Sequence, residues 1–299
     1  MINPNGVAVA AGFFDGVHLG HAKLISSAKQ AARERGLPLC ALSFLSHPDD
    51  LKNGRPTPLI CEADERARLL TEAGADDVIL LPFGRRMMDT PWDNFIEQTL
   101  IGQLNTRHVA VGADFRFGKG AAGNAALLAD FCAQRGVTCQ IVDKLELDGA
   151  EVSSSRIRAH VIAGNMSAAA RLLGRPHFIS GEVGHGRGIG RKIGAPTANL
   201  PLPEGVCLPP YGVYVSELEY NGRRLPAVSN IGQKPTFGAG PPALETHVLS
   251  GPAELYGEQV RVYLLEYLRP EKVFDNEMGL KSAIDTDIAA ARRYFKAVD

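Results

Sequence analysis

The sequence predicts an α/β chain in two parts: a doubly wound parallel sheet, then an antiparallel β-barrel that ends in a helix. Three observations predict it. Strand-like and helix-like runs alternate through the first half, the pattern of a parallel sheet wound by crossover helices. The second half carries short alternating runs and the hairpin dipeptide Asn221-Gly222, which is a strong two-residue turn signal. The chain has 299 residues, roughly twice the length expected of one domain.

The elements follow in order. The apolar run at residues 7–11 reads as a buried strand, and the amphipathic run at 23–35 as a helix. Further strands are expected at 39–44, 78–81, 108–111 and 139–142, with helices at 63–73, 92–100 and 125–135 between them. The hydroxyl run Ser153-Ser154-Ser155 then caps another helix. A short helical run at 168–173 ends at Gly174-Arg175-Pro176, a linker signal that puts the domain boundary between residues 174 and 175. Beyond it, strands are expected at 177–183, 212–218, 225–231, 244–249 and 259–267, and a final helix at about 278–296. This second pattern is antiparallel and does not continue the first sheet.

Composition narrows the function classes. With 45% hydrophobic and 22% charged residues, the chain can bury ordinary cores. Its formal charge is −1, from 32 basic and 33 acidic residues. That balance gives no global attraction to nucleic acid or to an anionic membrane, so any anion specificity must be local. Five widely spaced cysteines form no C-x-x-C pair and read as reduced, packed thiols. The N-terminus shows no signal-peptide pattern, and no apolar run approaches the roughly 18 residues of a membrane helix. A cytoplasmic protein is expected.

The chemistry concentrates in Gly12-Phe13-Phe14-Asp15-Gly16-Val17-His18-Leu19-Gly20-His21, between the first strand and the first helix. Histidines three apart at a helix start lie on one face. The helix N-terminus adds unpaired N–H groups and a positive dipole end. Two imidazoles, free amides and a glycine describe a phosphate site. A zinc half-site would need further Cys or His ligands and gives the glycines and Asp15 no role. In doubly wound sheets, ligands collect outside the carboxyl ends of strands. Three other features fall at such ends: Phe44-Leu45-Ser46-His47-Pro48, Val111-Gly112-Ala113-Asp114-Phe115-Arg116-Phe117-Gly118-Lys119-Gly120, and Ser153-Ser154-Ser155-Arg156-Ile157-Arg158. Singly, each also reads as a turn, as packing or as a cap.

In order, these segments resemble the adenylyltransferase domain of bifunctional bacterial riboflavin kinase/FAD synthetases, a branch of the nucleotidylyltransferase superfamily. The resemblance implies that His18 and His21 bind ATP phosphates, with Gly12, Phe13, Phe14, Asp15, Gly16 and Gly20 building that site and Gly16 leaving room for the nucleotide. It implies a flavin and nucleotide pocket from Gly112, Asp114, Phe115, Phe117, Gly118 and His47. It also implies that Ser154, Ser155 and Arg158 meet the ATP phosphates, a role that suits the planar fork of arginine. Two departures occur. The family's acidic-Pro-His-Pro reads Leu45-Ser46-His47-Pro48, and its usual threonine is Ser155.

The glycine-dense stretch Gly184-His185-Gly186-Arg187-Gly188-Ile189-Gly190-Arg191-Lys192-Ile193-Gly194 is neither a Walker loop nor a dinucleotide fingerprint. It reads as a positive flap for nucleotide phosphates or as a flexible hairpin loop. Next to it, Gly194-Ala195-Pro196-Thr197-Ala198-Asn199 resembles the riboflavin kinase motif in which threonine and asparagine hold Mg²⁺ with the ATP phosphates, although Ala195 replaces an aromatic residue. The resemblance runs on through Asn230-Ile231-Gly232, Pro235-Thr236-Phe237, Leu244-Glu245-Thr246-His247, Leu255-Tyr256-Gly257 and Leu268-Arg269…Phe274. It implies metal ligation by Thr197 and Asn199 and general-base catalysis by Glu245. It implies ATP or flavin contacts from Gly186, Gly188, Gly190, Arg191, Lys192, Asn230 and Arg269, with His247 as a packing neighbour.

The implied protein is an enzyme with two activities. Residues 175–299 phosphorylate riboflavin with ATP and Mg²⁺ to give FMN. Residues 1–174 transfer AMP from a second ATP to FMN, giving FAD and pyrophosphate. The partners implied are small molecules, with no nucleic acid and no membrane, and a homo-oligomer is left open. Two alternatives stand: an enzyme that retains one activity, and a flavin- or nucleotide-binding protein without turnover.

Overall fold

A computed structural model describes residues 5–184, 196–233, 241–251, 255–274 and 276–298. The chain packs as two units, Met1–Ser154 and Ser155–Asp299.

The first unit runs β1 (Val7–Ala11), α1 (Leu19–Glu34), β2 (Leu39–Phe44), α2 (Pro48–Asn53), α3 (Ala63–Glu72), β3 (Asp77–Leu81), α4 (Arg85–Met88), α5 (Trp92–Asn94), β4 (Thr106–Gly112), β5 (Arg116–Phe117), β6 (Gly123–Asn124), α6 (Ala125–Ala133), β7 (Thr138–Val142), β8 (Glu146–Leu147) and β9 (Ala150–Glu151). Five strands form a sheet in the order β3-β2-β1-β4-β7, and every neighbouring pair is parallel. The winding direction reverses beside β1, which lies between β2 and β4. That reversal makes the carboxyl end of β1 a switch point, where ligands bind in such sheets. The run after it is residues 12–21.

The core explains the strand pattern. Val9, Leu42, Val109 and Val111 are fully buried, with Ile96, Leu100 and Leu128 beside them. Strands covered on both faces are nearly continuous apolar runs, as 7–11 and 39–44 are apart from the buried Ser43. On α1 the buried residues are Leu24, Ile25, Ala28, Ala31 and Ala32, one stripe at helical spacing. The helix expected at 92–100 differs from expectation. After one α turn, α5, the segment Phe95–Gln103 widens to i→i+5 bonding. Its buried residues Phe95, Ile96 and Leu100 suit that wider turn, because positions five apart then share the core-facing side.

The second unit runs α7 (Ser154–Ile162), α8 (Met166–Leu173), β10 (His177–Glu182), β11 (Ala198–Pro201), β12 (Gly212–Tyr220), β13 (Arg223–Gly232), β14 (Ala243–Val248), β15 (Gln259–Pro270) and α9 (Glu277–Val298). The six strands lie in the order β10-β15-β12-β13-β14-β11, and each neighbouring pair is antiparallel. The edge strands nearly meet: the Gly184 N–H donates to the Asn199 carbonyl at 2.8 Å. The result is an almost closed barrel. The Asn221-Gly222 turn has φ of 49° and 72°, as a twist-matched hairpin requires. Strand β11 was not expected from the sequence; its four residues are too few to show a period. Helices α7 and α8 pack with this unit, so the packing division falls before Gly174-Arg175-Pro176.

On one sheet face, the hydroxyls of Ser216, Ser229 and Thr246 form a buried chain with O···O distances of 2.7 and 2.8 Å. On the other, Val213, Val215 and Val228 cluster with Ala291 of α9. His177 on β10 is buried, and its Nε2 has no partner. Burial, helped by Arg175, pushes its imidazole down to about 4. The unfolded chain takes up that proton near pH 6.5, while the folded chain resists until about 4. This contribution is therefore complete above about pH 6.5 and is lost as pH falls towards 4, by about 3 kcal/mol. His177→Leu should narrow the difference in melting temperature between neutral and acid buffers. An unchanged difference would remove His177 as the source.

Two candidate active sites

The first site is assembled at the end of β1. The Gly12 N–H donates to the Leu42 carbonyl at 3.1 Å, and Ser43 Oγ donates to the Phe13 carbonyl at 2.7 Å. Both bonds tie the loop to β2. Asp15 is buried; its carboxylate accepts from the Ile60 N–H at 2.8 Å, and its carbonyl accepts from Ser154 Oγ at 3.0 Å. So Asp15 organises the loop, and Ser154 is brought to it. Gly16 has φ +74°, and a Cβ there would sit 2.8 Å from Ile60. The requirement for glycine at 16 is thus internal to the loop. Phe14 and Val17 also have positive φ, 60° and 40°, which is strained backbone in the segment carrying the histidines.

His18 is the N-cap of α1, and its Nδ1 accepts from the His21 N–H at 3.3 Å. An accepting Nδ1 carries no proton, which leaves the N–H on Nε2. The two imidazoles stack with centroids 3.6 Å apart and planes at 17°. Gly20 permits this: a Cβ there would lie 3.1 Å from the His18 ring. The first turn of α1 carries no acidic residue, so nothing there cancels its dipole for an anion. His21 is half-buried, and its Nδ1 is enclosed with no partner. Burial, then His18 and Arg66, hold its pKa well below the usual histidine range. The site thus presents neutral imidazole and, at His21, an enclosed nitrogen without a partner, the state a phosphate would change.

The other expected residues divide. His47 caps α2, its Nδ1 accepting from the Asp49 N–H at 3.1 Å, and its ring meets Phe13 edge-on at 4.6 Å. Gly112 ends β4, and Asp114 is paired with Lys144 at 3.0 Å. Phe115 and Phe117 stack at 5.3 Å. Phe117 is in the core beside Phe95, while Phe115 is half-buried. Gly118, at φ +71°, lies against Trp92, whose Cα would be 2.5 Å from a Cβ there. Ser155 and Arg158 fall on α7 in the second unit, where Arg158 donates to Ser155 Oγ at 3.1 Å. The departing residues are peripheral: Leu45 is exposed, and Ser46 Oγ donates to the Phe83 carbonyl at 3.4 Å.

The second site is a row across three strands. Antiparallel register sets Glu245 of β14 opposite Asn199 of β11 on one side and Asn230 of β13 on the other. Directly opposed residues have Cβ atoms roughly 5 Å apart, so the carboxylate lies between two amides. The row continues through Val213 of β12 to Arg269 of β15. Val213 belongs to the patch under α9, so the polar row extends the helix-covered face. Asn199 Nδ2 donates to the Thr197 carbonyl at 3.2 Å and to its Oγ1 at 3.4 Å, which keeps the two together. His247 Nδ1 bonds the Pro196 carbonyl at 2.9 Å and holds the Thr197 segment onto β14.

Arg269 is already engaged. Its Nε and Nη2 grip Asp287 of α9 at 2.9 and 2.6 Å, and Nη1 donates to the Pro270 carbonyl at 3.0 Å. It anchors the terminal helix. Gly186, Gly188, Gly190, Arg191, Lys192 and the Pro235-Thr236-Phe237 motif lie outside the described residues. Thr197 and Asn199 offer hydroxyl and amide oxygen, hard donors that fit a partly hydrated Mg²⁺ shared with phosphate. Among the described residues, no group of three or more His, Cys, Asp or Glu forms a metal cage.

The reading from sequence missed Arg66 of α3, which is fully buried beside Phe13. A signal was available: positions 66, 69, 70 and 73 form the apolar stripe of the expected helix, and an arginine occupies one of them. The cysteines agree with their expected role. None of the five is in a disulfide, and burial pushes Cys40 and Cys139 to about 12 and Cys132 to about 11.

Comparison with known proteins follows the same division. Residues 1–156 match the FAD synthetase family and residues 173–295 the riboflavin kinase family. The chain is 36% identical over 292 residues to the bifunctional riboflavin kinase/FMN adenylyltransferase of Bacillus subtilis, covering 96% of this chain and 92% of that protein. It is likewise 36% identical over 292 residues to the Escherichia coli K12 protein of that description, with 97% and 93% covered. A Streptococcus pneumoniae crystal structure described as a macrolide-efflux protein superposes with a TM-score of 0.83 at 31% identity, covering 97% and 95%. Among the described residues of the present chain, no helix is long and apolar enough to cross a membrane.

Proposed function

The chain belongs to the bifunctional riboflavin kinase/FMN adenylyltransferase family, and from that premise we propose how its residues divide the work. The protein is a transferase with both activities: it phosphorylates riboflavin to FMN and adenylylates FMN to FAD, with ATP as the donor. One observation carries the assignment of residues. Glu245 lies between Asn199 and Asn230 on adjacent strands, and Asn199 in turn donates to the Thr197 hydroxyl.

In the kinase half, Glu245 takes the proton from the terminal ribityl hydroxyl as that oxygen attacks the γ-phosphorus and ADP leaves. A carboxylate is a modest base, so alignment of the two substrates supplies most of the acceleration. Asn230 orients the carboxylate from β13. Thr197 and Asn199 hold Mg²⁺, which neutralises phosphate charge when bound. The glycine-rich stretch at 186–192, outside the described residues, brings Arg187, Arg191 and Lys192, whose charge suits ATP phosphates.

In the adenylyltransferase half, a phosphate oxygen of FMN attacks the α-phosphorus of ATP. A new P–O–P bond forms, the bond to the β-phosphate breaks, and pyrophosphate leaves. His18, His21 and the first N–H groups of α1 meet the nonbridging oxygens, where charge collects. Ser154, Ser155 and Arg158 contribute further donors, and the loop at 112–118 with His47 receives the flavin. Burial keeps the Cys40, Cys132 and Cys139 thiols protonated, which makes them poor covalent nucleophiles. We place residues 1–174 and 175–299 as the functional halves, and the enzyme in the cytoplasm, a reading supported by five cysteines that form no disulfide.

A magnesium titration tests the metal assignment. Asn199→Ala should raise the Mg²⁺ concentration needed for half-maximal FMN formation by about tenfold or more, with Mg²⁺ dependence of FAD formation unchanged. Unaltered Mg²⁺ curves in both Asn199→Ala and Thr197→Val would remove these residues from the metal.

A further inference from the structure

A buried cation stands behind the first site without an assigned task. Arg66 is on the inward face of α3 with Leu69 and Leu70 and is completely shielded from solvent. Its guanidinium carbon sits 4.4 Å above the centre of the Phe13 ring. Its Nη2 donates to the Phe44 carbonyl at the end of β2, with Leu45 O at 3.5 Å. Nε and Nη1 are buried with no hydrogen-bond partner.

Burying an ion and leaving two of its donors unmade is unfavourable, and a well-packed apolar side chain would avoid the penalty. Such unsatisfied groups recur where a site needs them. Burial lowers the guanidinium pKa, against the opposing influence of Cys61 and Asp15. The charge also reaches His21, which it helps to hold uncharged. The titratable groups that act on this pair include His18 on α1 and Cys61 and Asp15 in the loops before α3 and α1, while His47 meets the Phe13 ring edge-on.

Resting on the reading of residues 12–21 as the adenylyl-transfer site, we propose that Arg66 is a positioning residue for that reaction. It is a fixed positive charge behind Phe13 that pins the motif to the end of β2 and sets the field in which His21 meets an anionic phosphate. In a low-dielectric site, a charge held in place acts on a triphosphate with little reorganisation during the reaction. A purely structural staple would need neither charge nor unpaired donors.

The test compares Arg66→Gln, which keeps a donor and removes the charge, with Arg66→Lys, which keeps the charge. FAD formation from supplied FMN, riboflavin phosphorylation, the melting transition and an NMR titration of the His21 ring are read on each full-length protein. Arg66→Gln should lower kcat/KM for FAD formation by about ten- to hundredfold and raise the His21 titration midpoint by about one unit. Kinase rate and melting temperature should hold. Arg66→Lys should restore the midpoint and part of the rate. The inference is overturned if Arg66→Gln retains the native rate and midpoint. It is equally overturned if the lost rate accompanies a lost melting transition, or if lysine restores nothing. His21→Gln separates the two levels of argument. If it leaves FAD formation intact, the site reading fails. If it stops FAD formation and Arg66→Gln does not, only the role of Arg66 fails.

Discussion

Glu245→Gln should stop riboflavin phosphorylation while leaving FAD formation from supplied FMN at its native rate. The substitution keeps the shape of the side chain and removes only its capacity to accept a proton. Glutamine between Asn199 and Asn230 meets amides on both adjacent strands, so the β11–β14–β13 register has no reason to slip. Loss of a general base costs about 10²- to 10⁴-fold in kcat, and the effect should appear in kcat with little change in KM for riboflavin. Coupled chromatography of flavins on one preparation decides it: riboflavin should persist, and added FMN should become FAD. A kinase kcat within about threefold of native would show that proton removal at Glu245 contributes nothing to the step.

The complementary change is His21→Ala. FMN should now accumulate from riboflavin without conversion to FAD. Deleting one positioned donor at developing oxyanion charge costs about 10²- to 10³-fold. The enclosed Nδ1 of His21 has no partner, while His18 Nδ1 is committed to capping α1. His18 loses its stacking partner at 3.6 Å, but its cap bond runs to the backbone N–H of residue 21, which alanine keeps. The melting transition should therefore move little. Loss of both activities in a folded protein would contradict the division into two sites.

Much of this was legible in the residues. The strands at 7–11 and 39–44 were readable because a doubly covered strand is a nearly continuous apolar run, broken here only by Ser43. The Asn221-Gly222 turn was readable because its backbone demands both residues, and the helix after residue 12 because its stripe repeats at 3.6. The histidine pair was legible as one cluster because a cap and its first turn are adjacent in sequence. The resemblance to a known family supplied the tasks of Glu245, Thr197 and Asn199, whose residue types alone were ordinary. Other readings needed the fold. Arg269 looked like a ligand contact until Asp287, distant in sequence, took its guanidinium. Phe117 looked like pocket lining and is core.

By itself, then, the sequence determined the local elements, the change from a parallel to an antiparallel strand pattern after residue 176 and the two neighbourhoods to which we assign the chemistry. Each depends on hydrophobic period, turn chemistry or capping within a few residues. Tertiary structure alone decided the strand order that reverses beside β1, the register that sets Glu245 between two asparagines, and the seat of Arg66 behind Phe13. Those depend on which distant segments pair. Antiparallel register can shift in steps of two with the same faces buried, and the burial of one arginine is set by every element that covers it.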